Sequence, residues 1–163
     1  MPLTIKQIQR IFGRFQYRES PTRPGLIVID PAWVRANIVR RQMPIVGPVR
    51  CHRLIADQLR AALAAIEAAG LAGAIDLADW HRAGGCFVPR RRCWNPKRAL
   101  SAHAWGIAID INPSTNRYGT RGNMDPRIVA VFERRGFQWG GRWRTPDPMH
   151  FEVVRVMPQA ERG

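Results

Sequence analysis

Apolar positions along the chain alternate between two regimes, helical spacing over long stretches and short unbroken runs between turn residues. Ile5, Ile8, Ile11, Phe12 and Phe15 share one face behind Thr4, a good N-cap, and predict a first helix. Asp30-Pro31 has the N-cap and first-position pattern of a second helix through Trp33, Val34 and Ile38. Leu54, Ile55, Leu59, Leu63 and Ile66 lie at helical spacing among alanines from Arg53 to Ala69, ahead of Gly70, and predict the central packing helix. Asp125-Pro126 opens another, carrying Ile128, Val129, Val131 and Phe132 and closed by Arg134, Arg135 and Gly136.

The short runs read as strands: Gly25 to Asp30, Ile75 to Leu77, Cys86 to Val88, Ile107 to Ile111 and Met149 to Val156. Pro44, Gly47 and Pro48 interrupt the pattern after the second helix, and residues 113–123 form a polar loop. Phe137 to Trp143 reads as a tight turn between aromatic anchors, and the tail from Pro158 to Gly163 as a frayed end. No internal repeat interrupts this order. A length of 163 residues, 45% hydrophobic, suits a single domain with one core. Within it, residues 54–156 form the expected working core, and residues 1–53 a helical and extended part with no assigned role.

Charge changes the picture next. Lys and Arg number 26 against 12 Asp and Glu, a net +14, which calls for an anionic partner such as nucleic acid, a lipid surface or a cell-wall polymer. No nucleic-acid motif is present, so a specific nucleic-acid partner is not expected. No apolar span or signal peptide is visible, so the chain is expected to be made in the cytoplasm, without membrane insertion, and to act as a monomer. Cys51, Cys86 and Cys93 make no disulfide framework; Cys86 and Cys93 could pair in an oxidising compartment, but partly buried free thiols are the simpler reading.

The chemistry concentrates in Leu100 to Asn112 and Asp147 to Glu152. Asp110 lies alone in the apolar run Ile-Ala-Ile-Asp-Ile, where burial is costly unless the carboxylate is paired or bound to a cation. A turn at Ala104 to Gly106 would fold His103 back beside it, and His150 would come from a second strand. Taken singly, His103 suits a cap or the core and Asp110 an arginine partner. Taken together, two His and one Asp suit a catalytic zinc that keeps a position open for water, with Asp147 left over as a base. Glu152 is the rival base, better placed to orient His150.

These residues also carry a resemblance. Ser101-x-His103-x-x-Gly106-x-Ala108-x-Asp110 and Asp147-x-x-His150-Phe151-Glu152 are similar to the two motifs of the M15 zinc peptidases, the group of D-Ala-D-Ala carboxypeptidases and endolysin-like endopeptidases. Trp139-Gly140-Gly141-x-Trp143 resembles its L-alanyl-D-glutamate endopeptidase branch. The resemblance covers about Gly84 to Val153 and implies His103, Asp110 and His150 as zinc ligands and Asp147 as catalytic base. It implies an arginine ahead of the first motif for the oxyanion and substrate. Here Arg90, Arg91 and Arg92 compete: in an extended segment Arg90 and Arg92 share a face, so Arg90 is chosen and Arg92 follows, while a solvated basic patch is the ordinary alternative.

Ser101, Trp139 and Trp143 are expected at the substrate, with Trp105 a further candidate wall and two of the three tryptophans mainly core. His52 and His81 are read as ordinary polar residues. The implied fold is α+β, a small antiparallel sheet carrying the zinc site with helices on one side, as in hedgehog and DD-peptidase domains. The implied activity is a zinc peptidase acting on the stem peptide of bacterial peptidoglycan at the cell wall, as an L-alanyl-D-glutamate endopeptidase, with a D-Ala-D-Ala carboxypeptidase or a basic non-catalytic binding module as alternatives.

Overall fold

A computed structural model describes residues 1–158. The expectation for the extreme tail falls on residues 159–163, outside the described residues. The fold is α+β: five α-helices with two two-stranded antiparallel ribbons and one three-stranded antiparallel sheet among the described residues.

Helix α1 (Ile5–Phe12) starts in a capping box, in which Thr4 Oγ1 accepts from Gln7 N and Gln7 Oε1 accepts from Thr4 N. It ends at Gly13, so Phe15 lies beyond the helix and packs on Trp33 and Trp105, with ring centres 4.8 and 4.7 Å away. Strands β1 (Tyr17–Glu19) and β2 (Ile27–Ile29) form the first ribbon. Asp30 then caps helix α2 (Pro31–Asn37) through Ala32 N.

Ile38, expected in that helix, instead begins strand β3 (Ile38–Met43), which pairs with β4 (Gly47–His52). The sequence pattern hid this hairpin because Pro44, Gly47 and Pro48 read as breakers. A two-stranded ribbon tolerates Pro48 because each strand has a free edge.

Helix α3 (Ala56–Ala68) runs through the core, with Leu59, Leu63 and Ile66 wholly buried. It packs on β3 and on helix α5 (Pro126–Arg134), which Asp125 caps through Arg127 N. Each such buried aliphatic side chain contributes roughly 1.5–3 kcal/mol of transfer free energy. One buried cluster joins residues from Ile8 to Val153.

Two expected strands are absent. Ile75 and Asp76 are extended but join no strand: Asp76 accepts from Asp79 N and caps helix α4 (Leu77–Ala83), so Leu77 opens a helix instead of continuing a strand. Cys86 to Val88 is irregular and lies between two isolated bridges, Gly85 to Asp110 before it and Leu26 to Arg90 after it.

The sheet that matters for chemistry has the order β5 (Ala108–Asp110), β7 (His150–Val153), β6 (Phe137–Trp139). Strand β6 takes the first half of the expected 137–143 turn, and a 3-10 turn over Gly140–Arg142 the second. In β5 and β7, Ala108 faces Glu152 and Asp110 faces His150.

The N-terminal ribbon braces this region. Ile27 N donates to Pro89 O (3.0 Å) and Arg91 N to Gly25 O (2.7 Å). Gly25 has φ +74, and a Cβ on it would stand 2.2 Å from the Trp94 carbonyl oxygen. Gly25→Ala should therefore destabilise the protein by about 2 kcal/mol or more, read as a lower urea midpoint at unchanged slope.

Candidate metal centre

His103 sits in a 3-10 turn, Ala102–Trp105, whose N-cap is Ser101: Ser101 Oγ accepts from His103 N at 3.4 Å. The turn closes on Gly106 in the left-handed region (φ +66), where a Cβ would press on the backbone of His52 and Cys51. This reversal returns the wholly buried imidazole to the end of β5, next to Asp110. His103 Nδ1 lies 2.9 Å from the Cys86 carbonyl, which can only accept, so Nδ1 carries the proton and Nε2 presents its lone pair.

Three groups meet at that lone pair. His103 Nε2 is 3.1 Å from Asp110 Oδ2 and 3.2 Å from His150 Nδ1, and His150 Nδ1 is 3.0 Å from Asp110 Oδ1. The ligand atoms of His103, Asp110 and His150 all lie within 4.8 Å of one another. On its far side His150 Nε2 is 3.0 Å from Glu152 Oε2, so Glu152 is taken up orienting the imidazole. Two imidazoles and one carboxylate, each held from behind, form a donor set that fits zinc.

Electrostatics without a metal show what the cluster is built to hold. Burial alone would push Asp110 up, yet His103 and His150 hold it well below the usual carboxylate range. Burial alone would pull His150 down, but hydrogen bonds to Asp110 and Glu152 outweigh it and push the imidazole up to about 10. His103, by contrast, is pushed down, chiefly by burial. The metal-free cluster thus holds a proton on His150, where the metal would bind.

Asp147 stands beside this network but outside it. Its backbone N donates to Gly140 O and its carbonyl accepts from His150 N, both at 3.0 Å, so a tight turn carries the carboxylate to the ligand. Gly140 permits the approach, since a Cβ there would lie 2.6 Å from Asp147 O. Burial pushes the Asp147 carboxyl up to about 6, and its Oδ1 is buried with no hydrogen-bond partner among the described residues.

The three arginines separate. Arg91 turns away, Nε donating to Glu19 at 2.9 Å, and braces the N-terminal ribbon. Arg90 leans on Asp110 (Nη2 to Oδ2, 3.4 Å) and faces a cleft of about 560 Å³ with Asp110, Asp147, Arg23, Arg82 and Trp94. Arg92, exposed, lines a second hollow of about 300 Å³ with Ser101, Trp143, Asp147 and His150. Arg90, Cys93, Tyr118 and Asp147 line both, so the two hollows adjoin beside the cluster, with Asp110 in the first and His150 in the second.

Trp143 lies with its ring 5.4 Å from His150, and its indole nitrogen is buried without a hydrogen-bond partner among the described residues. Trp139 lines neither hollow: its indole N–H donates to Pro148 O at 2.8 Å and supports the turn. Trp105 is fully buried and donates to Gly13 O. His52 is buried against Phe12 and pushed down to about 4, chiefly by burial, and His81 is exposed and lines neither hollow. Cys51, Cys86 and Cys93 are free thiols, with Cys86 buried and Cys93 exposed.

The sequence reading missed the Cys86 carbonyl behind His103, which carries no side-chain signal, and Arg23, Trp94 and Tyr118 in the groove. Trp94 had one, as an aromatic just after an arginine run.

Residues 94–153 match the model of an M15 peptidase family described as D-alanyl-D-alanine carboxypeptidase, and this supports an M15-family peptidase. No curated protein and no solved structure matches the chain. Among the described residues no helix is long and apolar enough to cross a membrane.

Metal uptake must expel the His150 proton. Between about pH 7 and 9, zinc binding should release about one proton per ion, and apparent affinity should rise about tenfold per pH unit. Calorimetry in buffers of different ionisation enthalpy reads both, and His150→Ala should lose zinc. For the metal-free fold the sign is opposite: the stability from charged His150 is complete below the ordinary histidine range and is lost as pH rises through about 10.

Proposed function

We propose that the protein is a zinc-dependent peptidase that hydrolyses the stem peptide of bacterial peptidoglycan, between L-Ala and D-Glu. The observation that carries this is the half-buried Asp147 carboxylate, its Oδ1 without a hydrogen-bond partner among the described residues, beside a two-His, one-Asp cluster in the lining of a cleft. A carboxylate kept out of hydrogen bonds in that position has a proton to move. Two adjoining hollows that share Asp147 suit a chain with residues bound before and after the bond to be cut, which favours an endopeptidase over removal of a terminal residue.

His103, Asp110 and His150 would hold the metal, which would supply a Lewis acid at the scissile carbonyl and lower the pKa of the attacking water. Asp147 takes one proton from that water as its oxygen bonds to the carbonyl carbon. Arg90 lies where its cation offsets charge growing on the carbonyl oxygen. The C–N bond then breaks, Asp147 passes its proton to the leaving amine, the water's second proton follows from the new carboxyl group to the same nitrogen, and a carboxylate and an ammonium group result.

The hydroxyl of Ser101 accepts from His103 N, so its own proton is free to donate to a substrate oxygen. The Trp143 indole N–H, buried without an acceptor, can donate to a peptide carbonyl. Arg92 adds positive charge along the rim, and Trp139 acts from behind by holding the Pro148 turn. The net charge of +14 holds the enzyme to an anionic wall. The description of the matched family favours the second reading, a D-Ala-D-Ala carboxypeptidase.

Mass spectrometry of digested peptidoglycan separates the two: new glutamate amino termini support the endopeptidase, free D-Ala the carboxypeptidase, and neither product overturns both. Asp147→Ala and chelation should each remove activity, the substitution by about 10²–10⁴-fold. The base must be ionised, so kcat/KM should fall as pH drops. Because a bound cation pulls Asp147 below its metal-free value of about 6, the acid limb should lie at or below that pH.

A further inference from the structure

Arg23 lies in the connection between β1 and β2, outside the stretch matched by the peptidase family. Its backbone is fixed at both ends: its N–H donates to Ser20 Oγ and its carbonyl accepts from Leu26 N, each at 3.2 Å. Its guanidinium sits 4.5 Å from the centre of the Trp94 ring, and the Arg90 guanidinium 5.4 Å from the same ring. Two cations therefore flank one indole in the cleft that also exposes Asp147.

The cations of this lobe are not equivalent. Arg82 is committed to Asp79 and Ser114, and Arg90 leans on Asp110. The Arg23 side chain has no ion pair or hydrogen bond among the described residues, and its partner is the ring face alone. That contact orients the guanidinium while leaving its charge and N–H donors available.

The platform is held at some cost in conformation. Cys93 and Trp94 take φ of +53 and +54, consecutive left-handed positions that residues other than glycine seldom adopt. Gly25 lies against the Trp94 backbone beneath them, closer than any side chain would permit. The result is a tryptophan, 38% exposed, with two guanidinium groups against its ring.

We propose that Arg23 and Trp94 form a carboxylate-binding subsite, in which Arg23 holds an anionic group of the peptide on one side of the bond to be cut. This rests on the peptidase reading above. For a bond between L-Ala and a glutamate linked onward through its side chain, that group is the free α-carboxylate of the glutamate. A guanidinium offers two parallel N–H donors to a carboxylate, whereas an amide of the same shape loses the charge and one acceptor.

The test uses a stem peptide in two forms, with the glutamate α-carboxyl free or amidated. Binding is measured by calorimetry on zinc-loaded Asp147→Ala protein, with Arg23 intact, Arg23→Gln or Arg23→Lys. With Arg23 intact the free acid should bind about tenfold tighter than the amide; Arg23→Gln should erase that preference by weakening the acid alone, and Arg23→Lys should keep part of it. Equal binding of the two peptides, an equal loss for both with Arg23→Gln, or no binding of either overturns the subsite. Cleavage by the native protein is scored separately: if the acid preference depends on Arg23 but neither peptide is cut, the peptidase reading fails and the subsite stands.

Discussion

Asp110 and His150 face each other across two antiparallel strands, and the rest of the centre depends on that register. A slip by one residue would turn Ile109 or Ile111 toward the cluster and send the carboxylate into the core. The wholly buried Ile109 and Ile111 on either side of Asp110 guard against the slip, since each would have to leave the core. The same alignment places Glu152 two residues along β7 from His150, on the same face, and so within reach of its imidazole. Apolar packing thus sets the positions of three charged groups.

Within that frame, protons and metal compete for one place. The two carboxylates around His150 favour positive charge there, and either an extra proton or a divalent cation supplies it. Asp147 is kept apart from this exchange. Its neighbours give its Oδ1 no donor, and burial holds the carboxyl near neutrality, where taking up and giving back a proton cost little.

Much of this was legible from residue order. The helices at Thr4, Asp30-Pro31, Arg53 and Asp125-Pro126 were readable because caps and 3.6-residue spacing are local signals, although Phe15 and Ile38 fell outside their elements. The lone acid in an apolar strand pointed to a bound or paired cation because its burial has few other solutions. The hairpin of β3 and β4 escaped notice because its prolines and glycine tell only against regular structure, while its pairing is non-local. Ile75 to Leu77 reads as a strand because three residues with apolar ends cannot distinguish a strand from the capped start of a helix, and the helix that follows from Leu77 carries no longer apolar period. Nothing in the order of residues places Arg23 over Trp94, 71 positions apart, since a contact across that separation is created by the fold.

The ribbon formed by β1 and β2 has a consequence for how the molecule divides its labour. His103, Asp110 and His150, the cluster that could hold a metal, and Asp147 lie between residues 103 and 150, whereas the segment bearing Arg90 is hydrogen-bonded to Gly25 and Ile27 and braced by Glu19. The reacting atoms and the cations around them are thus inherited from different parts of the chain. In the peptidase proposed above, exchanging the first thirty or so residues would act as a change of lens, altering which peptides are brought into focus while the light source stays the same.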